Sequence, residues 1–284
     1  MQLQAGMAVL ITGGASGIGL GLAQACVEAG LRVAIADVDE AALARARQSL
    51  SGDATMLAFD VADAAAWPAA LQRAEAEIGA IALLCLNAGI GGVAGPLESV
   101  PLHSFRRAMD VNVFGALNGL AAWLPGAKAA GDERHVVITA SMSALRPTAY
   151  AGAYNASKFA ALGVAETLRA ELAESAVGVS VLCPGVTRTD FMRNSVKRGD
   201  APAHSGVAAV LDKGMDPIAV GRRTLDAVRK REFYVFTHGE WRDVVAARQA
   251  DMLAAFGANA DPDYHEDMAG LMAASAEARK GQSQ

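Results

Sequence analysis

Short apolar runs alternate with longer segments of helical periodicity along most of this 284-residue chain. The apolar runs lack the polar–apolar alternation of a half-exposed strand, which is typical of strands covered on both faces. Strands separated by helices in this order predict an α/β fold, a doubly wound parallel sheet with helices on both sides. The predicted strands are Ala8–Thr12, Arg32–Ala36, Thr55–Phe59, Ile81–Leu86, His135–Ala140, Val179–Cys183 and Phe233–Phe236. The predicted helices are 17–29, 39–50, 63–77, 102–123, 153–174 and 216–231.

A glycine-rich loop directly follows the first predicted strand, with the sequence Thr12-Gly13-Gly14-Ala15-Ser16-Gly17-Ile18-Gly19. Glycines permit a tight turn and allow the backbone to approach a pyrophosphate, and the following helix directs its N-terminus at the phosphate charge. A glycine-rich turn without a ligand would have the same composition. The position of the loop between the first strand and the first helix favours a dinucleotide site.

An acidic residue, Asp37, follows the second predicted strand, twenty residues after Gly17. A carboxylate at this place accepts hydrogen bonds from the ribose hydroxyls of an adenosine and repels a 2′-phosphate. Neither Ser16 nor Val38 and Asp39 provides a positive charge that would attract that phosphate. The pattern therefore predicts NAD as the cofactor in preference to NADP.

Two segments depart from the alternation. Residues 190–215 form a long excursion after the sixth strand, and loops of this length in compact domains are usually functional. Residues 239–284 follow the last strand, with an amphipathic helix near Trp241–Phe256 and a polar end that we expect to fray. We therefore predict a Rossmann-fold domain over residues 1–238, in which 190–215 is a substrate loop, and a C-terminal helical extension over 239–284.

Composition excludes several functional classes. The formal net charge of −5 argues against a broad nucleic-acid-binding surface. Three isolated cysteines fit a reducing compartment, and neither they nor the five histidines form a metal-ligand pattern. No apolar stretch approaches the ~20 residues that span a bilayer, and Met1 to Gly6 lack the charged start of a signal peptide. We expect a cytoplasmic protein with no membrane or nucleic-acid partner and no metal.

Three residues form a candidate catalytic group. Tyr154 and Lys158 are four residues apart at the start of a predicted helix, so their side chains lie on the same face. Ser141 follows a predicted strand, at the edge of the sheet where ligands bind in open α/β folds. Free tyrosine has a pKa of ~10, too high for an efficient base at neutral pH, and a nearby ammonium would favour the phenolate.

These residues resemble the short-chain dehydrogenase/reductase family, in the branch with subunits of this size. The resemblance extends from Met7 to Phe236 and depends on several motifs in the family's order. The matching segments are the glycine loop, Asp60-Val61, Asn87-Ala88-Gly89, Asn112, Ser141 with Tyr154 and Lys158, and Pro184-Gly185 followed by Thr187 and Thr189.

The resemblance implies a role for each motif. Tyr154 exchanges a proton with the substrate oxygen, Ser141 hydrogen-bonds that oxygen, and Lys158 lowers the tyrosine pKa and holds the nicotinamide ribose. Asn112 helps to hold a water that links Lys158 to solvent, and the nicotinamide carries the hydride. The residues expected to contact the cofactor are Gly13, Ala15, Ser16, Gly17, Ile18, Gly19, Asp37, Val38, Asp60, Val61, Asn87, Ala88, Gly89, Tyr154, Lys158, Pro184, Gly185, Val186, Thr187 and Thr189.

The substrate is less constrained than the cofactor. The candidate substrate-binding residues are Ser141, Ser143, Tyr150, Phe191 and Met192, although each also suits ordinary packing. Ser143 is in addition a rival of Ser141 as the catalytic serine. The apolar excursion and the aromatic last strand predict a bulky aryl or alicyclic secondary alcohol or its ketone. The aromatic strand suits subunit packing equally well.

Other activities fit parts of the pattern. An NADP-dependent carbonyl reductase and a non-catalytic NAD-binding sensor would share the fold, and a dinucleotide-dependent epimerase or dehydratase would share the Tyr-x-x-x-Lys pair. The resemblance also implies a homodimer or homotetramer, in which the helices predicted at 102–123 and 153–174 pair across a two-fold axis. Small side chains, including Ala116, Gly119, Ala121, Ala161 and Gly163, would allow these helices to approach closely.

Overall fold

The computed structural model describes residues 1–50, 54–197, 210, 212–259 and 266–281. The chain divides into two compact units, Met1–Gly239 and Glu240–Gln284. This division lies one residue from the boundary predicted after residue 238.

The first unit contains a seven-stranded sheet in the order β3-β2-β1-β4-β5-β6-β7, with every neighbouring pair parallel. Each predicted strand is present, with ends that differ by no more than two residues, and the predicted doubly wound parallel sheet is confirmed. The strands are β1 Ala8–Thr12, β2 Arg32–Asp37, β3 Thr55–Ala58, β4 Ile81–Leu86, β5 Arg134–Thr139, β6 Val177–Cys183 and β7 Tyr234–Phe236.

Helices connect the strands and cover the sheet. They are α1 Gly17–Glu28, α2 Glu40–Ser49, α3 Trp67–Ile78, α4 Leu102–Met109, α5 Gly115–Ala130, α6 Gly152–Glu171, α7 Phe191–Lys197 and α8 Pro217–Lys230. All residues of β1, β4, β5 and β6 are buried, as their apolar sequences predict. Strand order along the chain reverses between β1 and β4, which opens a crevice at the carboxyl ends of these strands.

The prediction of one helix over residues 102–123 is wrong. A π-helical turn, Asp110–Phe114, separates α4 from α5, and α5 continues past Pro125 to Ala130. Trp123 and Ala127, four residues apart on either side of the proline, are both 2% exposed. Burial of this face sustains the helix beyond the proline, which local propensity would use as a stop.

Three of the small residues expected between subunits, Ala116, Gly119 and Ala161, are buried inside the protomer, whereas Ala121 and Gly163 of the same set are exposed. Ala116 is 9% exposed and Ala161 is 1% exposed. A Cβ atom on Gly119 would approach Leu86 and Trp67 of the same chain to 2.6 Å. The three buried positions are small because neighbouring elements of the same subunit pack against them, and the two exposed positions stay available to a partner subunit.

The excursion after β6 is only partly described. Helix α7 begins it, and Thr187 and Met215 close its base in a parallel bridge. The rest of the predicted substrate loop, 198–209 and 211, lies outside the described residues.

The second unit contains α9 Arg242–Asn259 and α10 Met268–Gly281. A helix was predicted near Trp241–Phe256 and is present as α9, but none of its described residues is buried, so the predicted amphipathic face is not seen. Helix α10 was not predicted. Residues 282–284 of the expected frayed end lie outside the described residues. Among the helices described, none combines the length and the apolar character needed to cross a membrane.

Candidate active site

A cavity of about 580 Å³ occupies the crevice at the carboxyl edge of the sheet. This volume lies within the range of roughly 300–1,000 Å³ typical of cofactor and small-molecule sites. Most of the predicted site residues line it, although they are spread from Gly13 to Phe191 along the chain. These are Gly13, Ser16, Gly17, Ile18, Asp37, Val38, Asp60, Val61, Asn87, Ala88, Gly89, Ser141, Tyr154, Lys158, Pro184, Gly185, Thr187, Thr189 and Phe191.

Several predicted residues do not line the cavity. They include Ala15, Gly19, Asn112 and Val186, and also Ser143, which donates its backbone N–H to Ser141 Oγ at 3.1 Å. The structure does not bring Tyr150 to the cavity, since its side chain is 67% exposed on the surface. The side chain of Met192 lies outside the described residues.

The last strand does not roof the cavity. Tyr234 and Phe236 stack on each other with ring centroids 5.5 Å apart and are 43% and 48% exposed. Neither ring lines the cavity, because β7 is the outer strand of the sheet. The aromatic residues of β7 therefore do not support the predicted apolar substrate pocket. Subunit packing, the other role proposed for them, stays a prediction.

The glycine loop brings backbone close to the cavity. Gly13 and Gly17 have φ angles of +61° and +52°, which side chains other than glycine rarely adopt. A Cβ atom on Gly19 would collide with the Gly13 carbonyl oxygen and approach Asn87 Nδ2 to 2.7 Å. Ser16 precedes α1 and makes no side-chain capping bond, so the first N–H groups of the helix and the serine hydroxyl are available to a phosphate.

Asn87 holds this loop against the sheet. Its Nδ2 donates to the Thr12 carbonyl at 3.1 Å, and its backbone N–H donates to Thr12 Oγ1 at 2.9 Å. Thr139 at the end of β5 donates to Asn87 Oδ1 at 3.3 Å. The Asn87-Ala88-Gly89 motif thus ties β1, β4 and β5 together beneath the cavity.

Asp37 ends β2 with its carboxylate at the cavity. Oδ2 accepts the Ala15 N–H and Oδ1 accepts the Asp39 N–H, each at 3.2 Å. Burial raises the pKa of the Asp37 carboxyl, and these backbone hydrogen bonds oppose the rise. A partly desolvated carboxylate with free lone pairs is suited to accept hydrogen bonds from two hydroxyl groups.

The neighbouring carboxylate is engaged differently. Asp60 Oδ1 accepts the Ala62 N–H at 2.9 Å, and Asp60 Oδ2 pairs with Arg107 at 2.7 Å. Arg107 lies on α4 and reaches the cavity only through the tertiary fold, so the sequence offers no signal for it. Other lining residues that sequence reasoning missed are Phe59, Ile90, Ser104, Val111, Thr139, Ala140 and Asn194. Of these, Thr139 and Ala140 directly precede Ser141 and were predictable from the end of β5.

Ser141, Tyr154 and Lys158 meet at the other end of the cavity. Tyr154 is half-buried, and its hydroxyl is hydrogen-bonded to Ser141. Lys158, 3% exposed, donates from Nζ to the Thr139 carbonyl at 2.8 Å, and its Nζ lies 5.7 Å from the centre of the Tyr154 ring. The geometry brings a hydroxyl, a phenol and an ammonium to one reaction centre.

Without a bound cofactor, burial has the largest effect on the pKa values of Tyr154 and Lys158. It raises the pKa of the Tyr154 phenol, which the Ser141 hydrogen bond opposes, and it lowers the pKa of Lys158 to about 8. The expectation that Lys158 lowers the tyrosine pKa is therefore not met by these residues alone. Desolvation disfavours both the phenolate and the ammonium, so an added positive charge is needed to stabilise the phenolate.

Asn112 lies in the π-helical turn and uses its amide to hold the protein together. Nδ2 donates to the Ile90 carbonyl at 2.9 Å and to Ser157 Oγ at 2.8 Å, and Oδ1 accepts the Ile90 N–H at 2.7 Å. Both amide hydrogens are thus occupied, and one lone pair of Oδ1 remains. The Asn112 side chain therefore joins α6 to the segment after β4. A relay water held by Asn112 would have to bind the remaining lone pair of Oδ1 or the Asn112 main chain.

The described residues include no group of three or more His, Cys, Asp or Glu side chains that could hold a metal ion. The cavity residues do fit a nicotinamide dinucleotide. A helix N-terminus and glycine backbone suit the pyrophosphate, Asp37 suits a ribose diol, and Tyr154 and Lys158 stand at the end where the reacting ring would lie.

Comparison with known proteins identifies the family. A family model described as short chain dehydrogenase matches residues 7–200. A 1-deoxy-11-beta-hydroxypentalenate dehydrogenase from Streptomyces avermitilis is 36% identical over 244 residues, covering 84% of this chain and 87% of that protein. A 3beta-hydroxysteroid dehydrogenase 2 from Eggerthella lenta is 32% identical over 216 residues, covering 74% and 83%.

A solved structure shares the whole fold. It is a short-chain dehydrogenase/reductase from Burkholderia phymatum in complex with NAD, with a TM-score of 0.83 and 28% identity over 94% of this chain and all of that one. This chain belongs to the short-chain dehydrogenase/reductase family, as the motifs predicted. It is an oxidoreductase that acts on a small-molecule alcohol or ketone with a nicotinamide cofactor.

Proposed function

We propose that this protein is an NAD-dependent dehydrogenase of bulky secondary alcohols, with the corresponding ketones as products. The observation that carries the proposal is a single cavity with Asp37 at one end and Ser141, Tyr154 and Lys158 at the other. One end recognises a dinucleotide, and the other exchanges a proton with the substrate oxygen.

The preference for NAD rests on Asp37. Its carboxylate is held by the Ala15 and Asp39 N–H groups, so it cannot turn away from an approaching 2′-phosphate without losing both hydrogen bonds. Arg107 is the cation at this cavity that sequence reasoning missed, and its guanidinium already pairs with Asp60. Among the described lining residues at this end of the cavity, no other cation would offset the repulsion of a 2′-phosphate by Asp37, which disfavours NADP.

In the proposed reaction, Tyr154 takes the hydroxyl proton of the alcohol while the carbinol carbon loses a hydride. A bound nicotinamide supplies the hydride acceptor and a positive charge near the phenol. Ser141 donates to the substrate oxygen and stabilises the charge that develops on it. Lys158 adds a second positive charge, and its hydrogen bond to Thr139 fixes the position of that charge.

Apolar groups near Tyr154 favour a bulky substrate. Phe191 packs edge-to-face on the Tyr154 ring with centroids 5.7 Å apart, and Ile90 and Val111 also line the cavity. A small polyol would leave its hydroxyl groups without partners among these side chains. The relatives named for a hydroxypentalenate and for a 3β-hydroxysteroid support the same class, since a steroid nucleus is alicyclic.

Steady-state kinetics on a panel of secondary alcohols with both cofactors tests this proposal. We expect kcat/KM with NAD to exceed that with NADP by at least about tenfold, or about 1.4 kcal/mol. A 1-aryl or alicyclic alcohol should be preferred to sorbitol. Asp37→Ala should reduce the ratio of kcat/KM with NAD to kcat/KM with NADP. Asp63→Ala, at an exposed residue outside the cavity lining that accepts the Ala65 N–H, serves as a control that keeps this ratio.

Each alternative has its own outcome. A higher kcat/KM with NADPH and ketones would indicate a carbonyl reductase. Tight binding of NAD without turnover of any alcohol or ketone would indicate a sensor. Equal rates for sorbitol and an aryl alcohol would remove the substrate argument and leave the cofactor assignment intact.

A further inference from the structure

His238 lies directly after β7, 9% exposed, with its ring beneath the segment Pro184–Val186. The Gly185 N–H donates to His238 Nδ1 at 3.1 Å, and His238 Nε2 lies 2.9 Å from the Val186 carbonyl oxygen. A peptide N–H only donates and a carbonyl only accepts, so Nδ1 must be unprotonated and Nε2 must carry the hydrogen. The partners of the ring therefore define its tautomer.

The fit between the ring and the segment is tight. A Cβ atom on Gly185 would approach His238 Cγ to 2.7 Å and Nδ1 to 2.8 Å. Thr237 Oγ1 lies 2.7 Å from Nδ1 and limits the movement of the ring on that side. Gly185 and His238 are thus matched, although 53 residues separate them in the chain.

The segment held by His238 forms a wall of the reaction end of the cavity. Pro184 and Gly185 line the cavity together with Ser141 and Tyr154. The Met142 N–H, which follows directly on Ser141, donates to the Pro184 carbonyl at 3.0 Å. A flat ring that lies beside Tyr154 must contact this wall.

We propose that His238 is a positioning residue that holds the Pro184–Val186 wall in place for the nicotinamide half of the cofactor. The inference rests on the proposed function, because it takes the ring at this end of the cavity to be a nicotinamide. One ring nitrogen accepts the Gly185 N–H and the other donates to the Val186 carbonyl, so a single imidazole restrains two consecutive residues of the wall. His238 itself does not line the cavity, so it acts through the backbone.

Binding of NAD and of ADP-ribose, which lacks the nicotinamide, separates positioning from general stability. We expect His238→Ala to raise the Kd for NAD about tenfold, as the loss of a buried hydrogen-bonded anchor does, and to leave the Kd for ADP-ribose within about twofold. Calorimetric titration measures both constants, and the melting temperature is recorded for each variant. His103→Ala, at an exposed position on α4 outside the cavity lining, is the matched control and should change neither constant.

Conservative variants assign the effect to each ring nitrogen. His238→Asn places a carbonyl oxygen near the position of Nδ1 and should recover most of the NAD affinity through the Gly185 N–H. His238→Gln places an amide N–H near Nε2 and should recover the bond to Val186 instead. If His238→Ala does not fold, the difference between NAD and ADP-ribose binding in these two variants carries the test, because each retains one of the two bonds.

Equal losses of NAD and ADP-ribose affinity would overturn the inference, since they would show a structural role only. Unchanged NAD binding by His238→Ala would overturn it as well. Both results leave the proposed function standing, because the wild-type protein still binds NAD. Failure of the wild-type protein to bind NAD or NADP would instead overturn the proposed function and this inference together.

Discussion

Lys158 shows how burial and function oppose each other in one residue. Its ammonium is almost inaccessible to water and donates to the Thr139 carbonyl, yet burial lowers its pKa to about 8. A charged lysine in such a place destabilises the fold, because water solvates the same charge better in the unfolded chain. The buried ammonium therefore lowers the stability of the fold but places a positive charge near the Tyr154 phenol.

This cost predicts how stability depends on pH. The folded pKa of Lys158, about 8, lies below its ordinary value of 10.5, so the unfolded chain binds more protons than the folded protein between these two pH values. The lysine contribution to stability therefore improves as the pH rises from 8 to 10.5. Lys158→Met removes this contribution, so the variant should melt above the wild-type protein at pH 7, with a difference that shrinks toward pH 10.

Melting curves of the two proteins from pH 7 to 10 measure this difference. A constant difference across the range would contradict the assignment of the effect to the buried ammonium. The same variant should lose NAD affinity as well as turnover, because the lysine is expected to hold the nicotinamide ribose.

Tyr154 carries the proton transfer in the proposed mechanism. Tyr154→Phe should retain NAD binding but reduce kcat by ~100-fold or more, within the usual range for a general acid or base. Tyr150→Phe is a matched control, because this exposed tyrosine lies outside the cavity lining and should keep full activity. Since burial raises the phenol pKa, the alcohol oxidation rate should increase with pH. A variant of Tyr154 with full activity would exclude it as the base.

At the scale of elements, the start of α1 and the π-helical turn determine the shape of the site. The glycine loop positions helix backbone at the phosphate end of the cavity, and the π-helical turn directs the Asn112 amide toward Ile90 and Ser157. Both features require backbone geometry that a regular helix or strand does not provide. A side chain from another element contacts each feature: the Asn87 side chain donates to the Thr12 carbonyl at the glycine loop, and Ser157 of α6 accepts from Asn112 of the π-helical turn.

Gly19→Ala tests the loop. Its Cβ atom would collide with the Gly13 carbonyl oxygen, so the loop must shift and NAD affinity should fall at least about tenfold, or about 1.4 kcal/mol. Gly126→Ala is the matched control in α5, because nothing lies within 4 Å of its Cβ position. Calorimetry should show unchanged NAD binding for the control. Because Gly126 is exposed within α5, its replacement by alanine should raise the free energy of unfolding by about 0.5–1 kcal/mol. Wild-type affinity in Gly19→Ala would exclude the tight loop as the pyrophosphate site.

At the scale of the whole molecule, exposed apolar residues mark the surfaces that suit association. Phe114 and Leu117, three residues apart at the start of α5, are 51% and 37% exposed. Tyr234 and Phe236 on the edge strand form a second apolar surface. Apolar patches of this kind on a folded subunit are typical of protein–protein interfaces.

The family resemblance implies a homodimer or homotetramer, and we expect Phe114→Glu with Leu117→Glu to give a species of smaller mass than the wild-type protein. In a two-fold interface the same surface patch of both subunits is in contact, so the introduced glutamates of one subunit would face those of the other and repel them. Light scattering at micromolar concentration measures the mass. In a tetramer, Tyr234→Glu with Phe236→Glu should leave a dimer, and the two pairs combined should leave a monomer. A wild-type monomer would contradict an assembly of either size.

The amino-acid sequence by itself determined the order of strands and helices and the chemical groups of the site. Burial of a strand on both faces leaves a continuous apolar run, and the reactive motifs depend on residue type and short spacing, so both are visible locally. The tertiary structure alone decided that Arg107 pairs with Asp60, that His238 lies beneath Gly185, and that Tyr234 and Phe236 do not line the cavity. It also placed a π-helical turn within a predicted regular helix. These features come from contacts between residues far apart in the chain, and hydrophobic periodicity carries no information about such pairs.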